Sequence, residues 1–347
     1  MNNSVKVPIN VIYSEHISPH GRYKEWLETR PNGFQQYRKA WEELPKRFEV
    51  PRYPLNLDIE PTNHCNLRCP FCYRTLAIQK ESRIFERQGS LSVELFRLII
   101  EQITENGKCM VPAIKLTHRG EPLLNQDLPE LVRMAKRAGA VDVIVNTNGT
   151  LLSQALAEEL LDAGLDRILF SFDSPRKEQY ETIRVGASYD EVLQNIRNFT
   201  TIRNKKQKKI QTLIRVGMVV TDDTAPYVQE FINLFDPVAD VVSFNRVHEE
   251  IELDDNGGYW ADGVYHNVKS NAFADSQLWQ RMTINWDGEA EICCENYKQE
   301  YTLGNVRKTP VLEIWNGKRF NAVRSLHKEG KWWAVPQCRK CTIPWME

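Results

Sequence analysis

Three cysteines within one short segment constrain this chain more than any other feature of its sequence. Cys65, Cys69 and Cys72 are separated by three and then two residues, so one loop can direct three sulfur atoms toward a single metal centre. A structural zinc site normally adds a fourth Cys or His, and His64 would have to fold back to provide it. A 4Fe-4S cluster held by only three cysteines keeps one iron open to an outside ligand. The lack of a convincing fourth ligand nearby disfavours structural zinc, which stays the alternative to such a cluster.

The remaining cysteines fall mainly into a second group near the C-terminus. Eight cysteines in 347 residues are too few for a disulfide scaffold, and cytosolic thiols stay reduced, which favours metal chemistry. Four of the eight form the second group: Cys293, Cys294, Cys338 and Cys341. Cys109 stands apart, as a buried apolar residue would. Two separate groups predict two metal sites in two domains.

Charge and hydropathy exclude several classes of partner. The chain has 45 Lys and Arg against 46 Asp and Glu, a formal charge of −1, so no nucleic-acid partner is expected. No apolar run approaches the roughly 20 residues of a membrane span, so no membrane partner is expected. Residues 1–10 lack the apolar core of a signal peptide. We therefore expect a cytoplasmic protein.

From residue 55 onward, apolar β-rich runs alternate with segments of helical period. Helices are predicted around Phe96 and over 127–138, 153–163, 177–203 and 224–235, with Ser92 and Ser153 as N-caps. Six such alternations predict an α/β fold with a parallel sheet and crossover helices on its outside. That count fits a partial (β/α)6 TIM-like barrel. The strands are predicted at 55–60, 113–117, 141–146, 167–173, 212–221 and 241–247.

The same pattern divides the chain into four parts. Residues 1–54 are an N-terminal helical extension, in which the aromatic residues from Phe34 to Trp41 recur at helical spacing; packing against the barrel is favoured over a substrate lid. Residues 55–247 are the barrel, residues 248–280 a long connecting loop, and residues 281–347 a small C-terminal domain. Chemistry in such barrels lies at the C-terminal ends of the strands. The first cysteine group directly follows the first strand.

The segment from Cys65 to Cys72 resembles the signature of the radical S-adenosylmethionine (AdoMet) superfamily, which has three cysteines at this spacing and an aromatic residue before the third. Phe71 fills the aromatic position. The resemblance implies a 4Fe-4S cluster whose open iron is chelated by AdoMet. It also implies reductive cleavage of AdoMet to a 5'-deoxyadenosyl radical, with an electron donor such as flavodoxin or ferredoxin.

The resemblance extends over roughly residues 55 to 247, through motifs that follow successive strands. Arg119-Gly120-Glu121-Pro122 resembles the Gly-Gly-Glu-Pro segment that contacts the AdoMet amino group. Arg119 replaces the first glycine, and glycine reaches backbone dihedrals that arginine rarely adopts. With arginine at this position, the backbone conformation that the family motif has there is in doubt.

Further motifs resemble the segments that face AdoMet elsewhere in the barrel. The motifs at 146–149, after the third strand, and at 171–173, after the fourth, correspond to segments that face the AdoMet ribose. Arg184 is placed to meet the AdoMet carboxylate. Ordinary turns, loop caps and a solvated helical arginine are the alternatives. The predicted cofactor-binding residues are Phe71, Gly120, Glu121, Pro122, Asn146, Asn148, Ser171, Asp173 and Arg184.

The second cysteine group resembles the SPASM/twitch extension of radical AdoMet enzymes, which binds auxiliary 4Fe-4S clusters. The pair Cys338 and Cys341 is closely spaced, and Gly288 before Cys293 resembles the opening hairpin of that extension. The short extension offers ligands for one auxiliary cluster. Neighbours on a strand face opposite sides, so Cys293 and Cys294 share a cluster only across a bulge. The fourth ligand is Cys294, Asp275 or an outside molecule, and structural zinc is the alternative.

These resemblances predict a radical AdoMet oxidoreductase or epimerase that abstracts hydrogen from an unactivated carbon. We expect a carbohydrate-type small-molecule substrate, such as a sugar or aminocyclitol, because nothing in residues 1–54 resembles a peptide-recognition module. A peptide- or protein-modifying maturase is the alternative within the superfamily, and a noncatalytic structural metal-binding protein is the alternative outside it. His248, Glu249, Glu250 and Asp254 are candidate substrate contacts, or simply a solvated acidic loop.

Overall fold

A computed structural model describes residues 5–6, 13–18, 20–79, 87–246, 258–261, 264–267, 269, 272–293 and 301–341. Its strands are β1 (Tyr13–Ile17), β2 (Asn56–Ile59), β3 (Thr104–Glu105), β4 (Lys108–Cys109), β5 (Ala113–Leu116), β6 (Asp142–Thr147), β7 (Arg167–Ser171), β8 (Leu213–Val220), β9 (Val241–Arg246), β10 (Gly258–Ala261), β11 (Val264–Asn267), β12 (Arg281–Ile284), β13 (Glu289–Glu291) and β14 (Thr302–Asn305). Its α-helices are α1 (Arg22–Glu28), α2 (Asn32–Lys46), α3 (Tyr73–Gln79), α4 (Val93–Gln102), α5 (Leu128–Ala138), α6 (Gln154–Asp162), α7 (Lys177–Ile183), α8 (Tyr189–Lys206), α9 (Val228–Phe235), α10 (Val311–Trp315) and α11 (Lys318–Lys328).

Ten strands form one sheet, in the order β1-β9-β8-β7-β6-β5-β2-β12-β13-β14. The six strands from β2 to β9 in this order are mutually parallel, and they coincide with the six runs predicted from the sequence. The partial (β/α)6 architecture is confirmed. Strand β1 pairs antiparallel with β9 at one edge, while β12 joins parallel to β2 at the other.

Strand residues alternate between the two faces of the sheet, and the crossover helices pack against the apolar residues of the outer face. Leu57 and Ile59 of β2 belong to the main core together with Phe96 and Ile99 of α4. The predicted caps are confirmed: the side chain of Ser92 accepts a hydrogen bond from the Leu95 amide, and that of Ser153 from the Leu156 amide.

The helix predicted over 177–203 is two helices, so that prediction was wrong. Helix α7 ends at Ile183, and α8 begins at Tyr189 after the N-cap Ser188. Gly186 between them has φ of 100°, a conformation that glycine adopts readily and that interrupts a helix. Apolar residues recur at helical spacing on both sides of this turn, so their period does not reveal where the helix breaks.

The N-terminal extension closes the lower end of the barrel. Trp26, Phe34, Tyr37 and Trp41 pack in one cluster with residues from the N-terminal starts of strands: Leu55, Ala113, Leu213 and Val241. The predicted helix through Phe34 and Trp41 is therefore α2, and it packs on the barrel as expected. It lies at the end opposite the cysteine loop, which rules out the alternative of a substrate lid.

The inner face of the sheet is polar and carries matched charges. Whereas Leu57 and Ile59 face the helices, Asn56 and Asp58 occupy the alternate positions of β2. Among the described residues, arginine–carboxylate pairs on the inner face include Arg281 with Asp58 at 3.1 Å, Arg215 with Glu15 at 2.8 Å, and Arg167 Nε with Asp142 at 2.8 Å. A barrel interior of this kind suits a polar molecule rather than a packed apolar core.

The C-terminal strands continue the barrel sheet. The chain turns back after β12 at Gly288, with φ of 94°, and β13 and β14 follow antiparallel. Within the predicted connecting loop, β10 and β11 form a separate two-stranded hairpin. Over the described part of the chain, no helix has the length and apolar character that spanning a membrane requires.

Candidate functional site

The first cysteine group lies in the loop that leaves the C-terminal end of β2, where a barrel of this type places its chemistry. Cys69 is buried, while Cys65 and Cys72 are half-buried. The Cys72 amide donates to the Cys69 carbonyl at 3.1 Å, and α3 begins at the next residue. Burial raises the pKa of Cys65, and it raises the pKa of Cys69 to about 11. The Cys72 thiolate raises the pKa of both Cys65 and Cys69, and the Cys65 thiolate raises that of Cys69, so the loop gains from a cation that neutralises the thiolates.

The donor set fits a cluster better than a single ion. Among the described residues, no three Cys, His, Asp or Glu side chains converge closely enough to hold one metal ion. A 4Fe-4S cluster binds each cysteine through a different iron, so its thiols need not meet at one point. His64 does not complete a tetrahedron, because its side chain is exposed. Its carbonyl faces inward instead and accepts from the Glu121 amide at 2.7 Å.

Two arginines that sequence reasoning did not connect with the thiols lie beside them. Arg74 on α3 is buried, donates to the Asn63 carbonyl at 3.0 Å, and lies close enough to Cys65 and Cys72 to feel their charge. Arg184 Nη1 is 3.9 Å from the sulfur of Cys69. The positive charge of both side chains stabilises thiolates.

The Gly120 loop packs directly against the cysteine loop. A Cβ at Gly120 would lie 2.1 Å from the Thr62 carbonyl oxygen and 2.5 Å from that of His64, distances that no side chain tolerates. Glycine is required at this position by the close approach of two backbones. The predicted cofactor residue thus has a structural role of its own.

Glu121 joins its own turn to the end of β6 through its buried carboxylate. It accepts hydrogen bonds from the Leu123 amide at 3.0 Å, the Thr147 hydroxyl at 2.6 Å and the Asn148 amide at 2.7 Å. Burial raises its pKa. Pro122 opens the short 3-10 turn that follows. The structure thus ties the carboxylate of Glu121 to the end of β6.

Asn148 connects the end of β6 to the cysteine loop. Its Nδ2 donates to Asn66 Oδ1 at 3.0 Å, and Asn66 donates in turn to the Thr150 hydroxyl at 2.8 Å. Asn146 lies two residues earlier on the inner face of β6, and Ser171 lies at the corresponding end of β7; both are half-buried. The two residues line the mouth of the barrel as the sequence predicted, and their contacts with AdoMet remain a prediction.

Arg184 and Asp173 form a buried ion pair beside the cysteine loop. Arg184 Nε is 2.5 Å from Asp173 Oδ2, and the Val219 amide donates to the other carboxylate oxygen at 2.9 Å. The guanidinium lies 5.9 Å from the ring centroid of Phe71. Asp173 and the Cys69 thiol raise the pKa of Arg184, which keeps it charged despite its burial. Arg184 is therefore not a solvated helical residue, since the turn after α7 directs it into the site.

The replacement of glycine by Arg119 has a structural explanation. Among described residues other than glycine, only Phe48 and Asn106 have positive φ, so the backbone at Arg119 needs no glycine. The Arg119 side chain makes a double hydrogen bond with Glu60, the residue that follows β2. Glu60 Oε2 also accepts from the Trp286 amide at 3.2 Å, which links the barrel mouth to the C-terminal hairpin.

The second cysteine group gathers after β13. Cys293 is buried, and its sulfur accepts a hydrogen bond from Gln337 Nε2 at 3.1 Å, next to Cys338. The Cys341 amide donates to the Cys338 carbonyl at 3.0 Å. Burial raises the pKa of Cys338, and the nearby carboxylate of Asp275 raises it further. Cys294 lies outside the described residues, as do the candidate substrate contacts His248, Glu249, Glu250 and Asp254.

A buried polar cluster at the seam between barrel and C-terminal hairpin was missed by the sequence argument. His118 Nε2 lies 3.9 Å from Glu291 Oε2, and both side chains are buried. Burial lowers the pKa of His118 to about 4. The position of His118 just after β5, at the reactive end of the barrel, is the signal that could have identified it.

Two family models match this chain. The model of the Radical SAM superfamily matches residues 59–231, and the SPASM model, described as an iron-sulfur cluster-binding domain, matches residues 276–342. These ranges contain the two cysteine groups.

Several curated proteins are similar in sequence. The Fe-coproporphyrin III synthase of Methanosarcina barkeri is 25% identical over 301 residues, which are 73% of this chain and 71% of the relative. The tungsten-containing aldehyde ferredoxin oxidoreductase cofactor-modifying protein of Pyrococcus furiosus is 24% identical over 328 residues, 83% of this chain and 87% of the relative. The GTP 3',8-cyclase of Limosilactobacillus fermentum is 35% identical over 159 residues, 45% of each chain.

Solved structures share the fold. BtrN in complex with AdoMet and 2-DOIA has a TM-score of 0.54 at 17% identity, over 82% of this chain and 92% of BtrN. SuiB of Streptococcus suis has a TM-score of 0.57 at 16% identity, over 84% of this chain and 72% of SuiB. At such identities the likeness establishes the architecture alone.

Proposed function

Because the chain belongs to the radical SAM superfamily and carries a C-terminal SPASM iron-sulfur domain, we propose that it abstracts hydrogen from an unactivated carbon of a carbohydrate-type small molecule and oxidises or epimerises it. The cofactors of this family are 4Fe-4S clusters and AdoMet. The single observation that carries the proposal is the loop of three thiols at the end of β2, beside which the side chain of His64 is exposed.

We assign the barrel cluster to Cys65, Cys69 and Cys72. When bound, the reduced cluster supplies the electron that cleaves AdoMet into methionine and the 5'-deoxyadenosyl radical. Arg74 and Arg184 offset the charge of the thiolates. In this proposal Arg184 also faces the AdoMet carboxylate, since its charge lies beside both Cys69 and Phe71.

The loops around the cysteines position AdoMet and exclude water. Gly120 keeps its loop within hydrogen-bond distance of the cysteine loop, and the Glu121 carboxylate anchors that loop to Asn148. In the proposal, Gly120, Glu121 and Pro122 present their backbone to the amino group of AdoMet, while Asn146, Asn148, Ser171 and Asp173 face its ribose. Preorganised polar groups of this kind are effective because no reorganisation is needed when the reaction starts.

The second cysteine group is assigned to one auxiliary 4Fe-4S cluster. Cys293, Cys338 and Cys341 provide three ligands, and Cys294, Asp275 or an outside molecule provides the fourth. Asp275 lies near enough to Cys338 to raise its pKa, which supports it as a candidate. A small carrier such as flavodoxin or ferredoxin is the proposed electron donor.

Two observations support a polar small molecule as the substrate. The inner face of the barrel is lined by charged and polar side chains rather than an apolar core, and helices α1 and α2 of the N-terminal extension pack beneath the barrel rather than at its mouth. Among structures of the same fold, BtrN was solved with AdoMet and 2-DOIA, and SuiB with the precursor peptide SuiA. A peptide-modifying enzyme is therefore the second candidate, favoured by that likeness to SuiB.

Anaerobic reconstitution tests the proposal. The wild-type protein should bind iron and sulfide at two sites and produce 5'-deoxyadenosine from AdoMet after reduction with dithionite. Cys65→Ala should lose the barrel cluster and all cleavage, whereas Cys338→Ala should lose only the auxiliary cluster. Cys109→Ala is the matched control, because its buried thiol lies far along the chain from both groups. Stoichiometric zinc without AdoMet cleavage would instead support a noncatalytic metal-binding protein.

Solvent deuterium separates the two outcomes proposed for the substrate. An epimerase must return a hydrogen to the carbon radical, so a side chain in exchange with solvent would leave deuterium in the product. An oxidation returns none. Deuterium in the product made in heavy water therefore indicates epimerisation, and a product two mass units lighter than the substrate indicates oxidation.

A further inference from the structure

Three buried polar atoms without a hydrogen-bond partner belong to side chains around Glu291, where the barrel meets the C-terminal hairpin. Within the described part of the chain, the atoms are His118 Nε2, Thr283 Oγ1 and Asn285 Oδ1. Native proteins satisfy nearly all buried polar groups, either internally or through bound water or ligand. Three such atoms in one place therefore mark a position where another polar molecule belongs.

Glu291 on β13 is the residue around which they converge. Thr283 is its partner across the antiparallel pair of β12 and β13, so the two side chains share one face of the sheet. Asn285 lies two residues further on the same face and donates from Nδ2 to Glu291 Oε1 at 2.5 Å. His118 Nε2 approaches the other carboxylate oxygen to 3.9 Å.

This cluster lies between the two cysteine groups. His118 immediately precedes Arg119 and Gly120. The amide of the following residue, Glu121, donates to the carbonyl of His64, which is next to Cys65. On the other side, Glu291 is followed two residues later by Cys293. A molecule held here would reach toward both proposed cofactor sites.

The surrounding charges indicate that this molecule is neutral. The arginines of the inner face are already paired with carboxylates, and Arg119 is paired with Glu60 at the mouth. The groups that adjoin Glu291 are an imidazole that burial keeps uncharged at neutral pH, a hydroxyl and an amide oxygen. Glu291 itself is within electrostatic reach of the oppositely charged Arg119. A cation would be attracted by Glu291 but repelled by Arg119, and an anion the reverse, so a neutral ligand suits this set best.

The donor and acceptor pattern indicates a hydroxyl-bearing ligand. The amide oxygen of Asn285 only accepts, whereas the hydroxyl of Thr283 and the neutral ring of His118 serve either way. A phosphate, which mainly accepts, would meet the Asn285 oxygen and the Glu291 carboxylate unfavourably. An ammonium group, which only donates, would suit Glu291 but offers no acceptor to the Thr283 hydroxyl or the His118 ring. A hydroxyl both donates and accepts, so it suits all three positions.

We propose that His118, Thr283 and Asn285 form a subsite that binds the hydroxyl groups of a neutral polyhydroxylated small molecule. The proposal rests on the function proposed above and narrows its substrate class, since it excludes phosphorylated sugars and cationic amino sugars. The site joins residues of the barrel and of the SPASM domain, so neither part would bind the ligand alone.

The test uses the reconstituted protein with AdoMet bound, and equilibrium dialysis against labelled probes. The neutral probes are myo-inositol and D-glucose, and the charged counterparts are glucose 6-phosphate and glucosamine. The neutral probes should bind, and each charged counterpart should bind at least tenfold more weakly than glucose. Thr283→Val, which removes only the hydroxyl, should weaken glucose binding at least tenfold, and Thr283→Ser should restore it.

Thr201→Val on the exposed face of α8 is the matched control and should bind as the wild type does. Iron content and circular dichroism of each variant show that it has folded. The proposal is overturned if no neutral probe binds, if a charged probe binds as tightly as glucose, or if Thr283→Val binds like the wild type; ordered water alone would then fill the cluster. AdoMet cleavage by the wild-type protein, measured separately, tests the proposed function itself.

Discussion

The guanidinium of Arg119 binds the carboxylate of Glu60 through two hydrogen bonds of 2.8 and 2.7 Å, with both side chains buried. Because Glu60 also accepts from the Trp286 amide, one carboxylate joins the end of β2, the Gly120 loop and the C-terminal hairpin. Arg119 keeps the pKa of Glu60 below its usual range despite burial, which otherwise raises it. The charged pair thus links the proposed AdoMet site to the SPASM domain.

Arg119→Gly, which restores the residue usual in the family motif, should destabilise this protein. It leaves the Glu60 carboxylate buried without its partner, which costs about 3–5 kcal/mol. Urea denaturation of the reconstituted protein under anaerobic conditions measures the loss. Arg52→Gly is the matched control: Arg52 pairs with Glu105 at 2.6 Å but is mostly exposed, so its loss should cost about 1 kcal/mol or less. Equal stability of Arg119→Gly and wild type would contradict the role given to the pair.

Gly120→Ala should disrupt the barrel site while leaving the auxiliary site intact. The added Cβ would lie 2.1 Å from the Thr62 carbonyl oxygen, so the two loops must separate. We expect AdoMet binding to weaken by a factor of about ten or more, equivalent to roughly 1.4 kcal/mol. Isothermal titration of the reconstituted protein with AdoMet measures this. Gly33→Ala, whose Cβ would meet only the Val141 side chain at 3.3 Å, should bind normally.

Arg184→Met should weaken AdoMet binding about tenfold to a hundredfold, since hydrogen bonds to charged groups contribute about 1.5–3 kcal/mol. The substitution also leaves the Asp173 carboxylate without its buried partner. Adding Asp173→Asn should therefore recover stability without recovering affinity. If the double variant binds AdoMet as the wild type does, Arg184 acts only as the partner of Asp173. Arg176→Met, at an exposed pair with Glu230, is the control.

Trp26→Ala should reduce stability without changing the site. Trp26 is 1% exposed and packs at the closed end of the barrel, edge-on to Phe34. Removing a buried aromatic side chain costs about 3–5 kcal/mol. The urea midpoint should fall, whereas the AdoMet affinity of the folded fraction should stay within twofold of wild type. A parallel loss of affinity would show that the N-terminal extension communicates with the barrel mouth.

Much of the fold could be predicted because its signals are local. Strand positions follow from runs of apolar residues, helices from their period, and the metal loop from the spacing of three cysteines. The break between α7 and α8 was missed because the apolar period continues across Gly186. The polar inner face of the barrel could not be predicted either. In the sequence, a polar residue that faces the barrel interior shows the same alternation as one that faces solvent, and only the curved sheet distinguishes the two.

What the sequence by itself determined is the order of the elements and the chemistry of the cysteine loop, because both depend on residues close together in the chain. Only the tertiary structure decided which distant groups meet. Arg119 binds Glu60, which is 59 residues away in the sequence, and Glu60 accepts a hydrogen bond from Trp286, which is 226 residues away. The first pair arises because β5 lies beside β2 in the sheet, and the second because β12 joins β2 on its other side. Contacts made by sheet assembly leave no periodicity in the chain, so the cluster around Glu291 could emerge only from the assembled sheet.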